Sequence, residues 1–164
     1  MRTVETRIYQ FDELSDKAKG KARDWCRESI ADWDWWDFLY DDAQKIGMEI
    51  KDFDLCRRDI SGKLTMTVRD CVKAIMEQHG KKTDTRKLAD EYAVDLVTSR
   101  LLGEEQDEDD DEDDLDVSEA FRDDLLKIYL HLLQEEYDGM NSDEYIDEHI
   151  MADEYEFEAD GSLF

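Results

Sequence analysis

Apolar and polar residues recur with different periods along the chain, and the changes of period divide it into short predicted elements. Residues 4–11 are rich in strand-forming side chains and predict a first strand. Ser15 follows, and its hydroxyl can cap the free amides of a helix. That helix carries Ala18, Ala22 and Trp25 on one face. The amino-terminal part therefore predicts a strand followed by an amphipathic helix.

A second helix is predicted between Asp34 and Gly47. Asp34 is a favourable capping residue, apolar side chains then recur at helical spacing, and Gly47 is a typical helix terminator. Aromatic side chains crowd this segment: Trp33, Trp35, Trp36, Phe38 and Tyr40. Such a cluster is typical of a buried helical stripe, and the alternative is a stacking platform for sugars or bases. Trp35 and Phe38 lie off the main stripe, which makes them available for an interface.

Two alternating segments and two helices are predicted in the middle of the chain. Residues 48–55 alternate between apolar and polar positions, and residues 64–68 do so again after the Ser-Gly pair at 61–62. The two segments predict the strands of a β-hairpin with one buried face. Helices are predicted next at about 70–79 and about 85–102, and a glycine follows each of them.

Three further elements are predicted toward the carboxyl end. Ser118 is expected to cap a long helix with two apolar stripes, which runs to about Tyr137. Ser142 is expected to cap a short helix over residues 143–152. Residues 154–158 alternate strictly, which predicts a strand whose aromatic side chains face inward and whose three carboxylates line the outer face.

These elements indicate the α+β class, with a small, mostly antiparallel sheet packed by five or six helices in a single domain of residues 1–164. Proline is absent, whereas average usage would give about eight, and its absence favours long helices. No apolar run reaches the roughly 18 residues of a membrane span, and the amino terminus does not lead into a signal peptide. Three cysteines without metal-like spacing indicate reduced thiols in a cytoplasmic protein.

Acidic residues divide the sequence into two electrostatic parts. Residues 1–100 hold 19 Lys and Arg against 21 Asp and Glu, whereas residues 101–164 hold 2 against 26. The densest run, at 104–116, reads EEQDEDDDEDDLD, and because it repels itself we predict an acidic loop or linker within the domain. A net charge of −26 argues against binding nucleic acid or anionic membranes and favours a basic partner.

The sequence lacks the motifs of common catalytic and metal sites. It contains no glycine-rich phosphate loop, no Gly-x-Ser-x-Gly and no His-Glu-x-x-His. A calcium loop that begins at Asp107 requires Gly and Glu where the chain has Glu112 and Ser118. The histidines fall on predicted surface positions: His79, His131 and His149. We therefore predict a protein that is not an enzyme and has no cofactor or metal site, with a hydrolase or nuclease using carboxylate-bound metal as the alternative.

Ordered rows of carboxylates are the feature that suggests a function. Residues two apart on a strand lie about 6.6–6.8 Å apart on one face, and residues three or four apart on a helix are neighbours at about 5–6 Å. A folded surface with carboxylates at such spacings can imitate a line of phosphates and occupy the cationic groove of a nucleic-acid-binding protein. The alternative is that the charge only maintains solubility. The candidate partner-binding residues are Glu119, Asp123, Glu135, Glu136, Asp138, Asp143, Glu144, Asp147, Glu148, Glu154, Glu156 and Glu158.

The two ends of the chain carry a family resemblance. It is carried by residues 9–18, which read YQFDELSDKA, by Ala22 and Trp25, and by residues 142–144, 154–157 and 160–161. These segments resemble a family of small acidic, mostly uncharacterised proteins of bacteriophages and prophages, some of them labelled antitoxin-like. The resemblance does not extend to the dense acidic run.

The resemblance implies expression in the cytoplasm of a bacterial host. Restriction enzymes and CRISPR effector complexes, whose channels are positively charged, are then the expected targets of a nucleic-acid-mimicking inhibitor. The alternative is an antitoxin-like protein that neutralises one partner through an apolar interface that includes Trp35 or Phe38.

Overall fold

A computed structural model gives the structure of the chain and describes residues 7–30, 34–101 and 115–164. Within these residues, the chain forms six α-helices and four strands, and the strands pair antiparallel. The predicted α+β class with five or six helices is confirmed, and the strands form two small sheets. The fold has two compact units: a terminal unit within residues 1–35 and 135–164, and a central unit within residues 36–134.

The terminal unit is built from the two ends of the chain. Its elements are β1 (Tyr9–Gln10), a 3-10 turn (Phe11–Glu13), α1 (Asp16–Ile30), α6 (Asp143–Ala152) and β4 (Glu156–Phe157). β1 pairs antiparallel with β4, and Tyr9 lies opposite Phe157. The core contains apolar side chains at helical spacing: Ala18, Ala22, Cys26 and Ile30 of α1, and Ile146 and Ile150 of α6. Both helices therefore bury the face that the sequence pattern indicates.

Side-chain caps begin both helices of this unit. The Ala18 amide donates to Ser15 Oγ at 3.3 Å, and the Tyr145 amide donates to Ser142 Oγ at 3.2 Å. Each cap satisfies an amide that has no partner within its helix. The two predicted serine caps are thus confirmed.

The central unit contains a hairpin and four helices. Its elements are α2 (Asp37–Lys45), β2 (Met48–Asp54), β3 (Asp59–Leu64), α3 (Val68–Gln78), α4 (Asp84–Leu101) and α5 (Leu115–Met140), and the last turns of α5 belong to the terminal unit. α5 supplies the largest side chains of the core, and Phe121, Leu125 and Tyr129 are fully buried. Tyr92 of α4 packs edge-on against Phe121 at a ring distance of 4.8 Å.

The predicted hairpin is present, but the predicted bounds of its second strand, residues 64–68, are wrong because β3 spans Asp59–Leu64. The chain reverses between Asp54 and Asp59, where Asp54 Oδ1 accepts the Arg57 amide at 3.0 Å and Arg58 takes a φ of +55°. Gly62 lies within β3, and a Cβ placed there would meet the Glu49 carbonyl oxygen at 2.7 Å. This glycine serves the close approach of two strands and not a turn.

Two predicted helix starts are also wrong. α2 begins at Asp37 without a side-chain cap, so Asp34 does not cap it. α5 begins at Leu115, which places Ser118 inside the helix. Most of the predicted acidic loop, residues 104–114, lies outside the described residues, and its last two residues open α5. A residue type that is favourable for capping therefore did not identify the first residue of either helix.

The aromatic residues of the second predicted helix are mainly used in packing. Trp36 and Tyr40 contact the ring of Phe53 at 5.6 and 6.2 Å between centroids. Phe38, in contrast, has 52% of its surface exposed.

No helix in the described part of the chain has both the length and the apolar character needed to cross a bilayer.

The glycine at the carboxyl end of the terminal unit provides a test of this packing. Gly161 has a φ of +86°, and a Cβ there would lie 2.1 Å from the Ala18 carbonyl oxygen. We expect Gly161→Ala to lower the free energy of unfolding by more than about 2 kcal/mol, measured by urea denaturation.

Gly20 of α1 is the matched control, because a Cβ added there would meet no atom of the described residues within 4 Å. We expect Gly20→Ala to raise the free energy of unfolding by up to about 1 kcal/mol, since alanine favours a helix interior. Equal effects at the two positions would contradict the close approach of Gly161 to α1.

Candidate acidic interaction surface

The excess of acidic over basic residues in the described chain is concentrated in the terminal unit. Its described residues, 7–30, 34–35 and 135–164, hold 6 Lys and Arg against 18 Asp and Glu, a net charge of −12. The described residues of the central unit, 36–101 and 115–134, hold 14 against 17, a net charge of −3. The ordered negative charge is mostly a property of one unit.

Arg23 of α1 binds Asp147 of α6 in the terminal unit. Its Nε and Nη2 donate to the two carboxylate oxygens at 2.6 and 2.7 Å, and its guanidinium carbon lies 5.8 Å from the centre of the Phe11 ring. The side chains of Arg23 and Asp147 are only 24% and 25% exposed. The hydrogen bond with Asp147 raises the pKa of Arg23. Asp147 is therefore a structural carboxylate.

Two further cations of α1 bind acids from the carboxyl end. Arg27 donates to the carboxylate of Asp143 and, at 3.1 Å, to the carbonyl of Asn141. Lys21 Nζ lies 2.7 Å from Asp160 Oδ2, and this hydrogen bond holds the pKa of Asp160 well below its usual range. Of the predicted partner-binding residues, Asp143 and Asp147 are therefore already bound by cations of α1, which the spacing of the acids did not indicate.

Three predicted site residues line a cleft in the terminal unit. Glu136 lies on α5, and Glu144 and Glu148 lie on α6 one helical turn apart. All three are exposed, and none forms an ion pair with a basic side chain of the described chain. The cleft has a volume of about 360 Å³ and is lined by Glu136, Gly139, Met140, Ser142, Glu144, Tyr145 and Glu148. We call it the α5–α6 cleft.

The remaining helical candidates are divided between the two units. Glu135 and Asp138 are exposed on the last turns of α5 and belong to the terminal unit. Glu119 and Asp123 are exposed in the first half of α5 and belong to the central unit. Asp123 Oδ1 accepts from the neighbouring Arg122 at 2.8 Å. The sequence pattern therefore groups residues that the fold assigns to different units.

The predicted row of three carboxylates along a strand is wrong. β4 contains only Glu156 and Phe157, and Glu154 precedes it with a φ of +54°. Glu158 follows the strand, and its amide donates to the Ser162 carbonyl at 2.8 Å. Glu154, Glu156 and Glu158 are all exposed, but they do not share one extended segment.

A polar network that the sequence analysis missed lies in the central unit. His79 Nδ1 is 2.6 Å from Thr85 Oγ1, and its Nε2 is 3.4 Å from Asp42 Oδ1. The hydroxyl of the buried Tyr129 donates to Asp42 Oδ2 at 2.8 Å. The prediction that His79 occupies a surface position is wrong, since its side chain is only 9% exposed. The signal in the sequence that could have indicated this network is Tyr129, a polar group among the apolar residues of α5.

This network resembles a nucleophile with its base, but its burial assigns it a structural role. Thr85 is 3% exposed, and its hydroxyl also donates to Thr83 Oγ1 at 3.1 Å. A substrate cannot approach such a hydroxyl. No group of three or more His, Cys, Asp or Glu side chains in the described ranges is placed to hold a metal ion.

Comparison with known proteins identifies no relative of this chain. The chain matches no family model, no curated protein and no solved structure. The family resemblance of the two ends stays a prediction. The surface is therefore interpreted from its own geometry and charge.

The Arg23–Asp147 contact is tested by Arg23→Met, which keeps much of the length of the side chain and removes the hydrogen bonds. We expect the free energy of unfolding to fall by about 1–2 kcal/mol because a partly buried carboxylate loses its cation. Lys17→Met on the same helix is the control, since Lys17 is exposed. Similar effects of the two substitutions in urea denaturation would contradict the structural role of Arg23.

The central network is tested by the pH dependence of Asp42→Asn. Hydrogen bonding by His79, and then by Tyr129, lowers the pKa of Asp42. An aspartate in an unfolded chain has a pKa of about 3.9. Because the pKa of Asp42 is lower in the folded state, its carboxylate stabilises the fold above about pH 3.9. This contribution is lost as the pH falls through the folded-state pKa. We therefore expect the stability difference between wild type and Asp42→Asn to be largest near neutral pH and to shrink below about pH 4.

The control for Asp42→Asn is Asp41→Asn, because Asp41 is an exposed neighbour of Asp42 on α2. We expect that substitution to change the free energy of unfolding by less than about 0.5 kcal/mol at each pH. A difference for Asp42→Asn that does not vary with pH would show that the carboxylate charge is not the stabilising group.

Proposed function

We propose that the protein is an inhibitor that occupies the cationic groove of a nucleic-acid-binding protein, with the carboxylates of the terminal unit in the place of phosphates. The observation that supports it is the net charge of −12 on one folded unit. Excess charge destabilises a compact state through self-repulsion. An acidic unit that keeps exposed carboxylates on helices is better explained by a basic partner than by solubility.

The α5–α6 cleft is the centre of the proposed contact. Glu144 and Glu148 are separated by one turn of α6, and Glu136 lines the same cleft from α5. Helices hold these groups in place, so a cationic groove meets anions that need little further ordering. Opposite potentials also steer the encounter, which makes the association rate fast and dependent on salt.

The internal ion pairs support this proposal by separating two groups of acids. Asp143, Asp147 and Asp160 are bound by cations of α1. Glu136, Glu144 and Glu148 have no such partner within the described chain and face solvent. The first group stabilises the unit, and the second group is available to bind basic side chains of a target.

The target class follows from the family resemblance. We propose a phage-encoded inhibitor of a host defence protein, of the anti-CRISPR or anti-restriction type, because the resemblance implies a bacterial host. Effector complexes of that kind hold nucleic acid in positively charged channels.

The proposal is tested with a triple charge reversal, Glu136→Lys, Glu144→Lys and Glu148→Lys. We expect the wild type to displace DNA from a restriction endonuclease or a CRISPR effector in a binding competition, and the triple variant to lose at least about tenfold in affinity. The association rate of the wild type should fall as the salt concentration rises.

The matched control is Glu77→Lys, Glu91→Lys and Asp95→Lys, three exposed helical positions of the central unit with the same change in net charge. We expect this control to inhibit as the wild type does, and circular dichroism should show both variants folded. Equal inhibition by the two triple variants would contradict the proposed surface, because net charge alone would then explain the activity.

The exposed ring of Phe38 on α2 favours one second candidate, an antitoxin-like protein with an apolar interface. Phe38 is 52% exposed, although the next residue of the same helix, Leu39, is buried. A partner captured from bacterial lysate that stays bound in high salt and is lost with Phe38→Ser would favour this candidate. The nucleic-acid mimic predicts the opposite response to salt.

A further inference from the structure

The α5–α6 cleft combines carboxylates with an exposed aromatic ring. Tyr145 is 43% exposed on the first turn of α6, between Glu144 and Glu148 in the lining of the cleft. The volume of about 360 Å³ is near the lower end of cavities that bind ligands. The cleft therefore has room for a side chain of a partner.

Tyr145 has contacts through both its backbone and its ring. Its amide is held by the Ser142 cap at 3.2 Å. Its ring stacks on the His149 ring with a centroid distance of 6.4 Å and an interplanar angle of 11°. His149 Nε2 lies 3.5 Å from Asp153 Oδ2, which ties the second ring to the end of α6. An exposed aromatic ring outside the core offers apolar contact area to a partner.

Charge and shape together favour one kind of occupant. A guanidinium group is planar, donates paired hydrogen bonds to a carboxylate and stacks on an aromatic face. The ammonium group of lysine is a compact and strongly hydrated charge that lacks this planar contact. Carboxylates beside an exposed tyrosine therefore complement arginine better than lysine.

We propose that the α5–α6 cleft receives an arginine side chain from the basic groove of the partner, with the guanidinium on Tyr145 and its N–H groups on Glu144 or Glu148. This inference rests on the proposed function and adds a preference for arginine-rich over lysine-rich surfaces. A surface that imitates phosphates by charge alone has no reason to distinguish the two cations.

The test compares two peptides of equal length, one of arginine and one of lysine, by fluorescence anisotropy at a single ionic strength. We expect wild type to bind the arginine peptide about fivefold to tenfold more tightly, in line with a contribution from stacking on one ring. Tyr145→Leu should lower this ratio severalfold because the stacking face is lost, and Tyr145→Phe should retain it because the aromatic face is kept.

The outcomes separate this inference from the proposed function. Equal binding of both peptides to wild type, or an unchanged preference in Tyr145→Leu, would overturn the arginine assignment and leave the acidic inhibitor intact. Failure of both peptides to bind at low salt would overturn the proposed function as well. Circular dichroism of Tyr145→Leu confirms that α6 is retained before the affinities are compared.

Discussion

The contact between Arg23 and Asp147 is the constraint on which the terminal unit depends. Residues 135–164 contain 12 Asp and Glu and no Lys or Arg, so this segment cannot neutralise itself. α1 provides the missing cations: Lys17, Lys19, Lys21, Arg23 and Arg27. The Arg23–Asp147 pair joins positions 124 apart in sequence, and the entropic cost of such a closure grows only slowly with its length.

The same helix determines which carboxylates remain available. Each cation of α1 that binds an acid of the carboxyl end removes that acid from the surface that a partner can use. Glu136, Glu144 and Glu148, which these cations do not bind, are exposed. The cations of α1 thus decide which acids of the terminal unit stabilise it and which remain for a partner.

Local patterns in the sequence were sufficient for the fold class and for several element ends. Ser15 and Ser142 act as predicted caps, and Gly47 follows α2 with a φ of +85°. The second strand of the hairpin was predicted to start too late, because Gly62, which is needed for close strand contact, has the same signature as a loop glycine. Such errors arise where two physical demands select the same residue type.

The contacts of the acidic residues were harder to predict, because the spacing of carboxylates along the chain does not show which basic residue each one will meet. With 47 acids in the chain, spacing alone could not indicate that Asp147 meets Arg23 or that Glu148 meets solvent. The burial of His79 likewise depends on packing among helices distant in sequence. Exposure and pairing are properties of the assembled fold, and they decide which members of a charged set can act.

The origin of the terminal unit from both ends of the chain has a consequence for biosynthesis. The central unit lies between the two segments, so a ribosome has made all of its residues before it makes the carboxyl end. Until α6 and β4 emerge, the apolar face of α1 lacks the side chains that cover it in the folded unit. The newly made chain therefore contains the whole central unit before the acidic unit can be completed.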